Sequence, residues 1–126
     1  MRAFTRDKLK VEIFQDAALM GAAAADDVCD QLTRAIAEKG SASIIIGTGA
    51  SQYPLHEELL GKSLDWNRIN VFHLDEYIGI ADTHPASFRK FLRERIAEKV
   101  NPRHTYYING DSPDIGSEIR RYTQLL

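Results

Sequence analysis

Short apolar runs alternate along the chain with longer segments of mixed polarity. Two of these runs, Ser43–Ile46 and Ile69–Leu74, are rich in β-branched and aromatic residues and predict strands. Val11–Phe14 is typical of a short edge strand, and Tyr106–Ile108 of a brief strand further along the chain. The two central runs are the best-defined strands of the sequence.

The segments between these runs have helical periodicity. Val28, Leu32 and Ile36 recur every fourth residue and predict a long helix that Asp16 caps and Gly40 ends. Three further helices are predicted. The first is Tyr53–Leu60, and the last begins near Asp114 and still runs at Leu126. The middle one has Pro85 in its first turn and an apolar face of Phe88, Phe91, Leu92 and Ile96.

Strands that alternate with helices predict a parallel sheet with right-handed crossovers. The chain has 126 residues, of which 44% are hydrophobic, enough for one packed core. We therefore expect a single α/β domain over residues 1–126, with a Rossmann-like three-layer arrangement and helices on both faces of the sheet.

The amino-acid composition limits the binding partners to be expected. The formal net charge is -2, and basic residues are interspersed with acidic ones, so nucleic acid is not an expected partner. Met1–Lys8 lacks the apolar run of a secretory signal, and no later run is long enough to span a bilayer. These features predict a cytoplasmic protein without a membrane partner. Cys29 lies in an alanine-rich helical stretch and is expected to be a packed thiol.

A glycine-rich loop follows the first central strand at Gly47–Ser51. Such a turn between a strand and a helix lets the backbone approach a phosphate, and the helix amino terminus supplies unpaired N–H groups. Thr48 and Ser51 add hydroxyl donors. The alternative is that the glycines only permit a tight turn.

Two acids and a tyrosine, Asp75, Glu76 and Tyr77, directly follow the second central strand. Ligands of open parallel sheets bind outside the carboxyl ends of the strands, so this segment is expected to lie beside the glycine-rich loop. A partly desolvated carboxylate there is suited to carry a proton between adjacent carbons of a bound sugar. The alternative is that Asp75 caps a turn and Glu76 faces water.

The histidines suggest no second site. His73 and Asp75 share one side of an extended strand, but no further ligand cluster accompanies them, so we predict no metal. His84 is expected to orient the polar loop by hydrogen bonding, and His56 and His104 to be exposed or locally bonded. Trp66 is expected to pack against the sheet.

Four segments together resemble the glucosamine-6-phosphate deaminase family in order and spacing. They are Gly47–Ser51, Phe72–Gly79, His84–Phe88 and Ile108–Asp114. The related 6-phosphogluconolactonases resemble this layout but typically carry arginine where Tyr77 stands. The resemblance covers about residues 40–126 and favours the amino-sugar branch.

The resemblance implies conversion of glucosamine 6-phosphate to fructose 6-phosphate and ammonia, without an organic cofactor. Asp75 would then carry the proton from C2 to C1. The residues implied in binding the sugar phosphate are Thr48, Gly49, Ala50, Ser51, Glu76 and Tyr77.

The chain departs from the family pattern in two respects. Gln52 follows Ser51, where the family usually has threonine or serine and then proline. Family members also continue with a further strand and a glycine-rich segment that assist ring opening. The chain is therefore expected to correspond to the amino-terminal half of a longer domain, apparently truncated, with an unpaired sheet edge that favours a homo-oligomer.

Three alternative functions remain open. A sugar-phosphate-binding protein without turnover would keep the loop and Asp75. A dinucleotide-binding module is suggested by Gly47-Thr48-Gly49 after a strand, although Gln52 stands at the position of the third glycine. A 6-phosphogluconolactonase-like hydrolase is disfavoured by Tyr77.

Overall fold

A computed structural model describes all 126 residues. The strands are β1 Arg2–Arg6, β2 Leu9–Ile13, β3 Ala42–Ile46, β4 Ile69–His73 and β5 His104–Tyr106. The helices are α1 Ala17–Lys39, α2 Tyr53–Leu60, α3 Phe88–Leu92, α4 Glu98–Val100 and α5 Ile115–Leu125, with a π-helical turn Arg93–Ala97 joining α3 to α4.

The main sheet is parallel and has the order β3-β4-β5. Its register pairs Ala42 with Ile69 and Ile46 with His73, while Phe72 pairs with Tyr106. This arrangement confirms the predicted parallel α/β sheet. β1 and β2 form a separate antiparallel hairpin, so the strand expected at residues 11–14 is not an edge of the main sheet.

The sequence signals for the ends of the helices act as predicted. Asp16 accepts a hydrogen bond of 2.8 Å from the N–H of Leu19 at the start of α1. Gly40 ends that helix in the left-handed region with φ 80°, which glycine adopts without a steric cost. Asp114 caps α5 by accepting from the N–H of Ser117 at 3.0 Å.

Two predicted element starts were wrong. Pro85 lies in a turn before α3, which begins at Phe88, because Ser87 caps the helix and accepts from the N–H of Lys90. β5 occupies His104–Tyr106 and not residues 106–108, because the N–H of Ile108 donates to a side chain of β4 in place of a strand partner.

The hydrophobic core lies between one face of the sheet and the helices α1, α2 and α3. Trp66 belongs to this core, as expected. Its buried members are Ala25, Leu32, Ala42, Ile46, Leu59, Trp66, Ile69, Val71, Leu92 and Ile96. The expected apolar face of α3 is therefore confirmed at Leu92 and Ile96, whereas Phe88 and Phe91 are only half-buried.

The second face of the sheet is covered by α5 through a small aromatic cluster. Phe72 stacks on Tyr106 at a ring-centroid distance of 4.8 Å and meets Tyr122 of α5 edge-on. Helices therefore lie on both faces, as the Rossmann-like prediction required. Ile45 on this same face remains 53% exposed, and the outer edge of β3 has no strand partner.

None of the helices combines the length and the apolar character needed to cross a membrane. Cys29 is a free thiol in α1 and is half-buried.

The open edge of β3 predicts self-association. An unpaired strand edge beside an exposed isoleucine is a template for pairing with another chain. We expect the purified chain to sediment as a dimer or larger species at micromolar concentration. Ile45→Lys should shift it to monomer, whereas Leu19→Lys, at a residue of similar exposure on α1, should not. A well-folded wild-type monomer in sedimentation would contradict this.

Candidate active site

Two loops meet at the carboxyl edge of the sheet. The N–H of Leu74 donates to the carbonyl of Ile46 at 3.1 Å, which extends the β3–β4 ladder by one residue. The chain then leaves β3 through Gly47–Ser51 and leaves β4 through Asp75–Tyr77. The topology thus makes neighbours of two segments that lie about thirty residues apart in sequence.

The glycine-rich loop carries a buried hydroxyl group without a partner. Thr48 is 5% exposed, and its Oγ1 makes no hydrogen bond within the chain. A buried polar group without a partner is costly and marks a place where another molecule can supply one. The neighbouring Gly49, Ala50 and Ser51 are exposed.

Gly49 leaves the backbone of the loop accessible, but it does not adopt a conformation that only glycine can adopt. Its φ of -68° and ψ of 153° are ordinary extended values. A side chain there would meet only Ser51 Oγ, at 3.9 Å. A short 3₁₀ turn, Ala50–Gln52, then leads into α2. The side chain of Gln52 lies over Gly47, so the residue that departs from the family pattern closes the inner side of the loop.

Asp75 is exposed and lines a cavity of about 300 Å³ between the β4 loop and α5. The expectation of a partly desolvated carboxylate stays a prediction, since Asp75 is exposed and also lines this cavity. The residues that line the cavity are Asp75, Glu76, Ile78, Ile108, Gly110, Ile115, Glu118, Ile119, Tyr122 and Thr123. The only charged side chains among them are acids, and isoleucine is the commonest residue.

Glu76 points into the protein, and the alternative in which it faces water is wrong. Its side chain is fully buried, and its two oxygens accept five hydrogen bonds. Oε1 accepts from the backbone N–H groups of Tyr77 and Phe88, both at 3.0 Å. Oε2 accepts from Ser87 Oγ at 2.8 Å and from the N–H and Nε of Arg89 at 2.9 and 3.1 Å.

These contacts determine the charge state of Glu76. Burial raises the pKa of its carboxyl, but the hydrogen bonds from Arg89, Phe88, Ser87 and Tyr77 outweigh burial and hold the pKa below its ordinary value of 4.5. Glu76 is therefore an anion at neutral pH. Its role in substrate binding stays a prediction.

Tyr77 lies at the exposed rim of the same loop. Its ring is 53% exposed and stacks on Phe88 at 5.1 Å. The loop also touches Gly110, where an added side chain would overlap the carbonyl oxygen of Tyr77. The N–H of Gly79, a residue at φ 83°, donates to the carbonyl of Gly110 at 2.8 Å. Glycine is needed at position 110 for close contact between the two loops, and at position 79 for the positive φ.

His73 connects β4 to the segment after β5. It is 1% exposed, and its Nε2 accepts from the N–H of Ile108 at 2.8 Å, which requires the neutral ring. Burial lowers its pKa, consistent with that state. The hydroxyl of Tyr122 lies 3.0 Å from the N–H and 3.1 Å from the carbonyl of His73. No group of three or more His, Cys, Asp or Glu side chains is arranged to hold a metal ion.

The remaining histidines contact residues of their own surroundings. His84 Nδ1 accepts from the N–H of Ala86 at 3.0 Å, which confirms a local role in the loop. His104 is exposed and contacts Asn70 at 3.1 Å. His56 was expected to be exposed or locally bonded; it is 7% exposed and packs beside Tyr53 and Phe91.

Sequence reasoning missed the buried arginine of this region. Arg89 is 5% exposed and pairs with Glu76 and Asp111. One signal was available: Arg89 precedes Leu92 by three residues and Ile96 by seven, so it shares their buried stripe. A charge at such a position implies a buried partner.

The architecture defines a Rossmann-like α/β protein, and its two edge loops form a candidate site at the carboxyl ends of the strands. The chain belongs to the family described as glucosamine-6-phosphate isomerases/6-phosphogluconolactonase, whose model matches residues 15–126. Members of this family are enzymes. The family resemblance expected from the loop motifs is confirmed.

Individual relatives agree with this assignment. A glucosamine-6-phosphate deaminase of Arthrobacter sp. is 32% identical over 90% of this chain and 45% of its own length. A monomeric glucosamine-6-phosphate deaminase of known structure has a TM-score of 0.76 at 24% identity, over 89% of this chain and 47% of that one. A 6-phosphogluconolactonase from Shewanella baltica has a TM-score of 0.79 at 19% identity, over 90% and 48%.

The two solved structures establish the fold alone, because their sequence identities are low. The chain spans about half the length of the curated relatives it matches, since it covers 38% to 48% of the first four. The activity of the whole relatives therefore reaches this chain only as a proposal.

The buried Glu76 predicts a dependence of stability on pH. Its folded-state pKa lies below the unfolded value, so its contribution is present at neutral pH and is lost as pH falls from about 5 through the folded pKa. Glu76→Gln should lower the free energy of unfolding at pH 7 by about 3 kcal/mol, because Arg89 loses its buried counter-ion.

Urea unfolding of both proteins between pH 3 and pH 7 measures this effect. The stability difference should shrink toward acidic pH. Glu94→Gln, which removes an exposed acid paired with Lys90 on the neighbouring helical segment, is the matched control and should change little. A constant difference across the pH range would contradict the assignment.

Proposed function

We propose that this chain forms the part of a glucosamine-6-phosphate deaminase (isomerising) site that transfers the proton and holds the phosphate. The observation that carries the proposal is the position of Asp75, an exposed carboxylate at the end of β4, beside a loop with a buried unpartnered hydroxyl group. Membership of the family supports the substrate class.

The reaction begins with ring opening of glucosamine 6-phosphate, which exposes an aldehyde at C1. The Asp75 carboxylate removes the proton from C2 and leaves an enediol-like intermediate that carries the amine. The protonated Asp75 returns the proton to C1, which produces an imine at C2. Water hydrolyses the imine, so fructose 6-phosphate and ammonia are released and Asp75 is again a carboxylate.

Charge favours placing the phosphate at the glycine-rich loop. The cavity lined by Asp75 offers a phosphate dianion no unpaired cation: its charged lining residues are acids, of which Glu76 and Glu118 are already paired with Arg89 and Arg121. The loop instead offers the Thr48 and Ser51 hydroxyls at the start of a helical segment, with Gly49 and Ala50 leaving the backbone accessible. A sugar that bridges the two loops would bring C1 and C2 toward Asp75.

Glu76 and Tyr77 have different proposed roles. The Glu76 carboxylate is occupied by five internal hydrogen bonds, so its contribution is to hold the loop in place. Tyr77 presents an exposed ring at the rim, where it can contact the sugar.

A sugar-phosphate-binding protein without turnover is the second candidate. It would keep the buried Thr48 hydroxyl and the exposed Asp75 carboxylate and would differ from the enzyme only in releasing no ammonia. The lactonase alternative is tested by hydrolysis of 6-phosphogluconolactone in the same preparation.

Ammonia release from glucosamine 6-phosphate by the purified chain tests the proposed reaction. Asp75→Asn should reduce turnover by at least about a thousandfold, because the amide cannot accept the C2 proton. Asp65→Asn, at an exposed acid near the amino end of β4, is the matched control and should retain wild-type turnover.

The outcomes separate the candidates. Equal turnover by Asp75→Asn and wild type would remove Asp75 from the mechanism. Absence of turnover combined with thermal protection by glucosamine 6-phosphate would favour the binding protein, and absence of both would contradict the proposed substrate class.

Thr48→Val tests the phosphate loop by two opposite effects. The substitution keeps the shape and removes a buried hydroxyl that has no partner, so the melting temperature should stay the same or rise. Affinity for glucosamine 6-phosphate should fall about tenfold, because a hydrogen bond to a charged group is lost. Calorimetry measures both quantities. Loss of stability with unchanged affinity would show that Thr48 is only a packing residue.

A further inference from the structure

Arg89 contacts three separate parts of the site region with its guanidinium group. Nε donates to Glu76 Oε2 at 3.1 Å, Nη1 to Asp111 Oδ1 at 2.9 Å, and Nη2 to the carbonyl of Ile80 at 2.9 Å. The side chain is 6% exposed, so these contacts are shielded from water. One planar group thus joins the start and the middle of the β4 loop, residues 74–87, to the loop after β5.

Asp75 has no such fixation of its own. Its carboxylate is exposed, and its position depends on the backbone on either side. The preceding residue, Leu74, is held by the hydrogen bond from its N–H to Ile46. The following residue, Glu76, is held through its buried side chain, in which Arg89 supplies the only charged donor.

The loop after β5 is part of the same arrangement. Asp111, with 45% side-chain exposure, reaches Arg89 from that loop. The backbone bond from Gly79 to Gly110 lies alongside, and the two loops meet too closely for a side chain at position 110. Displacing Arg89 would therefore release both loops together.

We propose that Arg89 is a positioning residue for Asp75: through Glu76, Ile80 and Asp111 it holds the β4 loop in the conformation that presents the Asp75 carboxylate to the sugar. The inference rests on the proposed function for the identity of the sugar. The claim about the loop itself rests on the contacts alone.

Lysine cannot replace this arginine. The three acceptors lie in different directions around a planar fork, and a single ammonium group reaches at most part of them. Arg89→Lys is therefore expected to retain part of the fixation of the β4 loop, and Arg89→Gln to retain less.

Arg93→Gln is the matched control. Arg93 lies one helical turn further along the same helical segment and also contacts the polar loop, through the side chain and carbonyl of Asp82. It makes no contact with Glu76, Ile80 or Asp111, so its loss should leave Asp75 in place.

The experiment combines hydrogen exchange of single amides with kinetics on the 126-residue chain. In Arg89→Gln, the amides of Tyr77 and Gly79 should exchange at least about tenfold faster, while that of Val71 in β4 stays protected. Ammonia release should fall at least about tenfold in kcat, with KM for glucosamine 6-phosphate within about twofold of wild type. Arg93→Gln should match wild type in both readouts.

The results distinguish this inference from the proposed function. If wild type shows no turnover and no binding, the proposed function fails, and the amide exchange alone decides whether Arg89 fixes the loop. A folded Arg89→Gln with unchanged exchange at Tyr77 and Gly79, or with unchanged kcat in an active chain, overturns the proposal.

A second variant tests the proposal in case Arg89→Gln fails to fold. If Arg89→Gln does not fold, Asp111→Asn removes one charged partner of Arg89 at a half-exposed position. It should raise exchange at Gly79 and lower kcat by a smaller factor than the arginine variant. Wild-type values for both would overturn the proposal.

Discussion

The buried carboxylate of Glu76 is the interaction on which the site region depends. Five donors from the β4 loop, Ser87 and the start of α3 converge on its two oxygens. An ionised carboxylate is expensive to bury unless its hydrogen-bonding capacity is satisfied, and this degree of satisfaction is what permits burial. The directly adjacent Asp75 stays exposed, while Glu76 supplies the fixation of the loop.

Local features of the fold were predictable from the sequence, and long-range contacts were not. The strands β3 and β4, the Asp16 cap, the helix end at Gly40 and the helix start near Asp114 depend on neighbouring residues, and all were confirmed. The start of α3 was misplaced because a capping serine outweighed the preference of proline for a first turn. Hairpin strand β1 was missed because Arg2–Arg6 shows no alternation of polar and apolar residues, and all five residues are exposed.

In the candidate site, too, some features were predictable from the sequence and the long-range contacts were not. The topology rule brought the two loops together correctly, because it depends only on strand order and direction. Whether Glu76 faced water or the interior depended on Arg89, Ser87 and Asp111, which lie 11 to 35 residues away in sequence. Periodicity predicts which side of a helix is buried, but it does not predict which residue pairs with a buried charge.

The contacts of Tyr122 also bear on the order in which the molecule assembles. Its hydroxyl bonds to the backbone of His73 across 49 residues of sequence. Contacts that close such long loops form late in folding, since the entropy of loop closure is lost before the contact compensates for it. During synthesis, β3 and β4 can pair before α5 has left the ribosome. The contacts of Tyr122 at the carboxyl edge of the sheet, by contrast, form only when α5 docks.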